Sequence, residues 1–181
     1  MKVSRSHALR EQILETFISL LSSEGLELTT LDKIAKRLGM RRNHVGYYFP
    51  SRASLIEGAV VYCVGVGQEV TVESLKSARS VRAIVSAWSL GAFEWIARYP
   101  DHGAVIMVFL SQCRHDERFR KLNSEILSEG IVRVVAILAD HGVTHPKLVA
   151  SLRKIQIYNM GLLISHLTKD DPRNIKDEMA L

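Results

Sequence analysis

The fold is decided by the stretch Thr29-Thr30-Leu31-Asp32-Lys33-Ile34-Ala35-Lys36-Arg37-Leu38-Gly39-Met40-Arg41-Arg42-Asn43-His44-Val45-Gly46-Tyr47-Tyr48-Phe49-Pro50-Ser51-Arg52. Thr29 and Thr30 offer side-chain oxygens to the free N–H groups of a helix start, and Asp32 suits the positive end of a helix dipole. Leu31, Ile34, Ala35 and Leu38 recur at helical spacing and stop at Gly39, so a short helix is expected there. Gly39 can adopt the positive φ that a sharp reversal needs, and Ala35 lets two helices approach closely. From Arg41 to about Tyr47 the pattern predicts another short helix, closed by Pro50-Ser51, which also starts the next. Upstream, Ile13, Leu14, Phe17, Ile18 and Leu21 form the stripe of an amphipathic helix that ends near Glu24-Gly25, with the glycine as C-cap.

Three short helices with a tight turn between the second and third meet the requirement of a helix-turn-helix: one helix crosses the backbone of a duplex and the next is presented to the major groove. Directly after the turn come Arg41, Arg42, Asn43 and His44, side chains able to read base edges or hold phosphates. Tyr47 and Tyr48 follow one turn on, and Arg52 stands at the next helix start. Turn glycine, basic helix start and interleaved aromatics coincide, which favours DNA contact over a merely solvated polar face. Charge agrees. Residues 1–52 hold nine Lys/Arg against five Asp/Glu, whereas the remainder of the 181 residues holds fifteen against fourteen. The first segment is therefore expected to meet a polyanion while the rest does something else.

Beyond Ser51 the sequence reads as five further helices with sparse Gly and Pro punctuation. Leu55, Ala59, Val60, Cys63 and Val64 face one way while Val61, Tyr62 and Val66 fill the other sides, predicting a largely buried helix. Val81, Ile84, Val85, Trp88, Ala92, Trp95 and Ile96 make a stripe ending at Tyr99-Pro100. The uniformly apolar run 103–110 reads as a short buried helix, because no second strand pattern exists for it to pair with. Two long helices follow, one running from Phe119 to a stop at His141-Gly142 and one from Leu148 to Leu167; the charged tail from Asp170 is expected to fray. The chain is thus expected to be all-α, with a three-helix DNA-binding domain over 1–50 and a helical domain over 51–181.

Composition excludes several classes. At 47% hydrophobic and 24% charged residues the chain is no disordered segment. Its longest apolar runs, 58–67 and 103–110, fall short of the roughly 18 residues of a membrane span, and the polar N-terminus lacks a signal-peptide core, so a cytoplasmic protein is expected. Cys63 and Cys113 sit in apolar stretches and read as small buried hydrophobes rather than a disulfide pair. His141 and His145 flank Gly142-Val143-Thr144 and precede Pro146, which suits a loop better than a metal site, and Cys113-Arg114-His115 is a similarly weak pair. No HExxH, CxxC, GxSxG or P-loop spacing occurs. No enzyme, no metal and no cofactor are expected.

The segments Gly25-Leu26-Glu27-Leu28-Thr29-Thr30-Leu31-Asp32-Lys33-Ile34-Ala35, Leu38-Gly39-Met40 and Val45-Gly46-Tyr47-Tyr48-Phe49-Pro50-Ser51-Arg52-Ala53-Ser54-Leu55 together resemble the N-terminal domain of TetR-family transcriptional regulators over about residues 10–57. The resemblance implies a homodimer that binds a palindromic operator in double-stranded DNA and is usually released by a small-molecule effector. Residue by residue, it implies that Thr30 caps the second helix and contacts phosphate, that Arg42, Asn43 and His44 face bases, and that Tyr47, Tyr48 and Arg52 hold the backbone. Two positions depart from the pattern. Gly46 stands where a phosphate-binding tyrosine is usual, costing about 1 kcal/mol of helix propensity relative to Ala. Arg41 replaces a Ser-like N-cap and brings a cation to the positive helix end, unfavourable until a phosphate lies nearby. The arm carrying Lys2, Arg5 and Arg10 reads equally as a groove-following segment or a basic tail.

The resemblance also implies that Tyr62, Cys63, Trp88, Phe93, Trp95, Tyr99, Met107 and Phe109 lie on the three helices around the effector pocket. The same side chains at helical spacing suit an ordinary core; taken as a pocket they imply a neutral or weakly charged effector with apolar parts. The apolar faces within residues of about 116–167, with Gly130 and Gly161, suit a four-helix dimer interface or intramolecular packing. A helical ligand carrier or interaction module that does not bind DNA is the alternative, and so is an activator or constitutive binder without an effector. Salt-dependent binding to duplex DNA separates the carrier from the regulator.

Overall fold

The computed structural model describes residues 5–168. Lys2, the side chain of Arg5 and the charged tail from Asp170 lie outside the described residues. These fold into eight helices: α1 (Arg5–Glu24), α2 (Leu31–Arg37), α3 (Arg42–Tyr48), α4 (Arg52–Leu75), α5 (Val81–Arg98), α6 (Asp101–Cys113), α7 (Glu117–Asp140) and α8 (Leu148–Leu167). No strand occurs among them. They form two compact units, one of residues 5–66 with 99–119, the other of 67–98 with 120–168.

In the first unit α1 buries Ile13, Leu14, Phe17, Ile18, Leu20 and Leu21 and packs against α2 and α6. It ends where the stripe ends: Gly25 takes φ +81°, and its N–H reaches Leu21 O at 3.0 Å. Thr30 caps α2, its Oγ1 accepting from the Lys33 N–H at 3.2 Å. The adjacent Thr29 is buried and spends its hydroxyl on Gly25 O at 2.8 Å. After α2, Gly39 adopts φ +65°. The Met40 N–H then bonds Ala35 O at 2.9 Å and the Gly39 N–H bonds Lys36 O at 3.3 Å, the paired closure of a Schellman motif. Val45 and Phe49 plug α3 into the core, and the backbone N–H groups of Ser51 and Ser54 each donate to the other's hydroxyl oxygen at 3.1 Å, which starts α4. A cap stabilises by about 1 kcal/mol and each buried Leu, Ile or Phe by roughly 1.5–3 kcal/mol. Caps therefore set the boundaries while the core holds the unit together.

In the second unit the cluster Ile84, Ile131, Val134, Leu138 and Leu152 joins α5, α7 and α8, with Trp88, Val135 and Val143 packed against it. Gly142, at φ +76°, repeats the Schellman closure through the bond from the Val143 N–H to Leu138 O at 3.0 Å. Gly67 and Gly91 mark close approaches: a Cβ at Gly67 would lie 2.7 Å from Trp95 Cδ2, and one at Gly91 would lie 2.3 Å from Thr71 Oγ1. Asn159 on α8 donates to Ser89 O on α5 at 3.4 Å.

As expected, Arg41 takes the cap position of α3, and its side chain makes no capping bond. Two expectations need correction. Tyr99 lies between α5 and α6 rather than on a helix. Most clearly, α4 is not buried all round: Val61 is 54% exposed and Val72 is exposed too, because α4 packs along one side through Leu55, Ile56, Ala59, Val60 and Cys63. By length and composition α4 is nonetheless apolar enough to cross a membrane, since valines and glycines continue past the ten-residue apolar run.

Candidate nucleic-acid interface

The site grows from α3. A seven-residue helix has little stability of its own, so its position comes from Val45 and Phe49, which are buried while Arg41, Arg42, Asn43, His44 and Tyr47 remain exposed. Tyr47 is 81% exposed. Gly39, Met40, Arg41, Asn43, His44 and Tyr47 line one concave depression on this surface. Phe49 is clamped from outside as well: the Arg10 guanidinium sits 5.0 Å from its ring centroid, and a Cβ at Gly58 would lie 2.7 Å from its Cε1. Gly46, in contrast, has open space, since a Cβ there would meet nothing within 4 Å.

The exposed side chains differ in how they are held. Arg42 Nε lies 3.5 Å from Asp32 Oδ2 on α2, and Arg52 NH1 lies 3.9 Å from Glu27 Oε1. Both pairs are solvent-exposed and worth at most about 1 kcal/mol, so a phosphate or base can compete for either guanidinium. Tyr47 and Tyr48 meet edge to face at 5.3 Å, and the Tyr48 and Ser6 hydroxyls are 3.3 Å apart. Lys33 pairs with Glu24, tying α2 to the end of α1. Thr30 is exposed at the start of α2 with its hydroxyl used in capping. Sequence reading singled out the cations here but missed their carboxylate partners and Met40. Acidic residues just before a basic turn are the signal for the first; nothing in spacing marks Met40, a turn residue.

The aromatic residues expected around an effector divide between the units. In the first, Tyr99 stacks on His102 at 5.1 Å and Tyr62 meets the same ring at 6.3 Å, while Phe109 meets Phe119 edge to face at 5.9 Å. Met107 is half-buried; Cys63 and Phe109 are buried. Tyr62 donates its hydroxyl hydrogen to Glu15 Oε1 at 2.9 Å, and burial together with that carboxylate pushes its phenol well above the ordinary range. Burial likewise raises the Cys63 thiol to about 12, which keeps it protonated and unreactive. Burial lowers His102, opposed by the charge of Asp101. In the second unit Phe93 and Trp95 are buried and Trp88 is half-buried against the core cluster. His141 and His145 stay in backbone contacts, His141 Nδ1 with Ile137 O at 3.0 Å and His145 Nδ1 accepting from the Lys147 N–H at 3.1 Å. Among the described residues no group of three His, Cys, Asp or Glu is arranged to hold a metal.

Residues 13–59 match the family model described as bacterial regulatory proteins, tetR family. Over 55 residues the chain is 34% identical to the biofilm operon icaADBC HTH-type negative transcriptional regulator IcaR of Staphylococcus aureus (strain Newman), a match covering 30% of each chain. The matched segment thus spans under a third of that relative. Over nearly the full length the fold is similar to a TetR transcription regulator of Haloarcula marismortui, with a TM-score of 0.77, 18% identity and coverage of 94% of this chain and 92% of that one. It is also similar to a transcriptional regulator of Saccharomonospora viridis solved in complex with choline, with a TM-score of 0.74, 18% identity and coverage of 94% and 91%.

Proposed function

From the match of residues 13–59 to the tetR family of bacterial regulatory proteins we propose that the chain is a DNA-binding transcriptional repressor of that family, acting in the cytoplasm as a homodimer on a palindromic operator and released by a small, mainly apolar ligand. In this reading residues 1–50 bind DNA and residues 51–181 carry the effector and dimer functions. The observation that carries it is α3: two buried anchors, Val45 within it and Phe49 just after it, hold a short helix that, with its cap residue Arg41, exposes two arginines, an asparagine, a histidine and a tyrosine. Such a surface complements a major groove. Thr30, Tyr47, Tyr48 and Arg52 are proposed as backbone contacts, and Arg41 and Arg42 as the cations nearest the phosphates and base edges.

Two further features support the assembly and its control. On α7 and α8, Val132, Val149, Ile157 and Tyr158 are exposed, with Ile157 at 73%, an apolar surface of the kind that a second copy covers. That a small molecule binds is in keeping with the choline complex of the Saccharomonospora viridis protein, although choline carries a permanent positive charge. In this chain Tyr62, Tyr99 and Met107 are the partly exposed side chains of the first unit proposed to meet the effector. The direct test is binding to duplexes selected from a random pool, followed by anisotropy at rising salt. Affinity should fall linearly on a log–log scale, with a slope of about −0.9 per phosphate neutralised. A chain with no salt-dependent affinity for any duplex is a ligand carrier instead.

A further inference from the structure

Resting on the DNA-binding reading above, the chemistry of the depression beside α3 goes one step further and selects a base pair. We infer that Asn43 reads the adenine of an A·T pair through the major groove, with the C5-methyl of its thymine received between Met40 and Tyr47. Asn43 is exposed, and its amide has no hydrogen-bond partner among the described residues, whereas Arg42 is paired with Asp32 at 3.5 Å and the His44 ring faces Tyr48 at 6.2 Å. The amide thus presents a donor and an acceptor side by side. Adenine offers the complement, N7 as acceptor and N6–H as donor; guanine places the O6 acceptor where N6–H would be, against the amide carbonyl.

The surroundings fit the other half of the pair. Asn43 and Tyr47 are one turn apart on the same face of α3, and both line the depression with Met40. The Tyr47 ring is set by its edge-on contact with Tyr48 at 88°, while Met40 supplies a flexible thioether that can close on a methyl group. Gly39 adds no side chain at the rim, and a Cβ there would meet nothing of the protein within 4 Å, so the way in stays open. An amide with a thioether and an aromatic ring beside it, in an open depression that Arg41 and His44 also line, suits an A·T edge with its adjacent methyl.

The test starts from the best duplex selected with the full chain. Replacing the A·T pair with G·C should cost about 10- to 100-fold in affinity, and replacing its thymine with uracil, which lacks only the methyl, should cost about three- to fourfold. Asn43→Ala should bind the A·T and G·C duplexes alike with its salt dependence intact, and Met40→Ala should abolish the uracil penalty. Asn43→Asp, which keeps the shape and loses the donor, should move the preference towards cytosine. Sequence-specific binding that Asn43→Ala and Asn43→Asp leave unchanged overturns this assignment alone. Absence of salt-dependent binding to any duplex overturns the DNA-binding reading itself.

Discussion

Gly46 in α3 and Gly58 in α4 show how much a single position depends on its surroundings. Gly46 and Gly58 both lie inside helices, where Ala is favoured by about 1 kcal/mol. A methyl at Gly46 meets nothing within 4 Å, so Gly46→Ala should stabilise the protein by about 0.5–1 kcal/mol, read as a raised urea midpoint with unchanged m. At Gly58 the same methyl would lie 2.7 Å from Phe49 and 3.2 Å from Leu14, both fully packed, so overpacking outweighs propensity. Gly58→Ala should destabilise by about 1–3 kcal/mol. Equal midpoints for the two variants would contradict the packing around Phe49. Arg52 gives a prediction of another kind. Its exposed pair with Glu27 contributes little to folding, so Arg52→Ala should leave stability nearly unchanged while weakening binding to all duplexes alike and flattening the salt slope by about one. A change of sequence preference would show instead that Arg52 touches a base.

At the level of elements, the junction of α1, α4 and α6 couples packing to protonation. Ser22 on α1 donates to Asp101 at 2.7 Å, Tyr62 on α4 donates to Glu15 on α1, and His102 on α6 lies buried between Tyr62 and Tyr99. Because burial lowers the His102 pKa, the unfolded chain binds the proton more readily than the folded one. The associated stability is complete above the ordinary imidazole value of 6.5 and is lost as pH falls towards the folded value. Lowering the pH from about 7.5 to about 5.5 should therefore reduce the wild-type urea midpoint more than that of His102→Phe, which keeps the ring stack and loses the titration. Identical losses in the two proteins would show that the pH dependence arises elsewhere.

For the whole molecule, the proposed repressor requires that assembly, operator and ligand be linked. Ile157 stands 73% exposed on α8, so Ile157→Glu should fold normally yet sediment as a monomer at micromolar concentration, where the wild type sediments as a dimer. The variant should also lose operator affinity, because one half-site alone supplies half the contacts. A wild-type monomer would sink the dimer. Linkage makes the ligand test two-sided: a compound that lowers operator affinity must bind the operator-bound protein more weakly by the same factor, typically about 5- to 150-fold. Calorimetric affinities that agree for free and operator-bound protein would show that the compound is not the switch.

The helix order, the turn at Gly39 and the surface running from Arg41 to Tyr47 were legible in the sequence, because caps, positive-φ glycines and a seven-residue helix face are set by neighbours within about one turn. The same holds for the breaks at Gly25, Pro100 and Gly142. Tertiary structure alone decided which cations are tethered: Arg42 meets Asp32 only because the turn brings α3 beside α2, and Arg10 on α1 sits over the ring of Phe49, 39 residues on in the chain. It decided exposure on α4 as well, since a helix apolar on every side leaves open which side meets a neighbour, and here Val61 does not. The aromatic residues of 51–181 were divided by tertiary structure too, Trp95 against Gly67 and Tyr62 beside His102. Local spacing fixes a helix and its faces, but burial belongs to pairs of faces, and the partner of a face is chosen by residues far away in the chain.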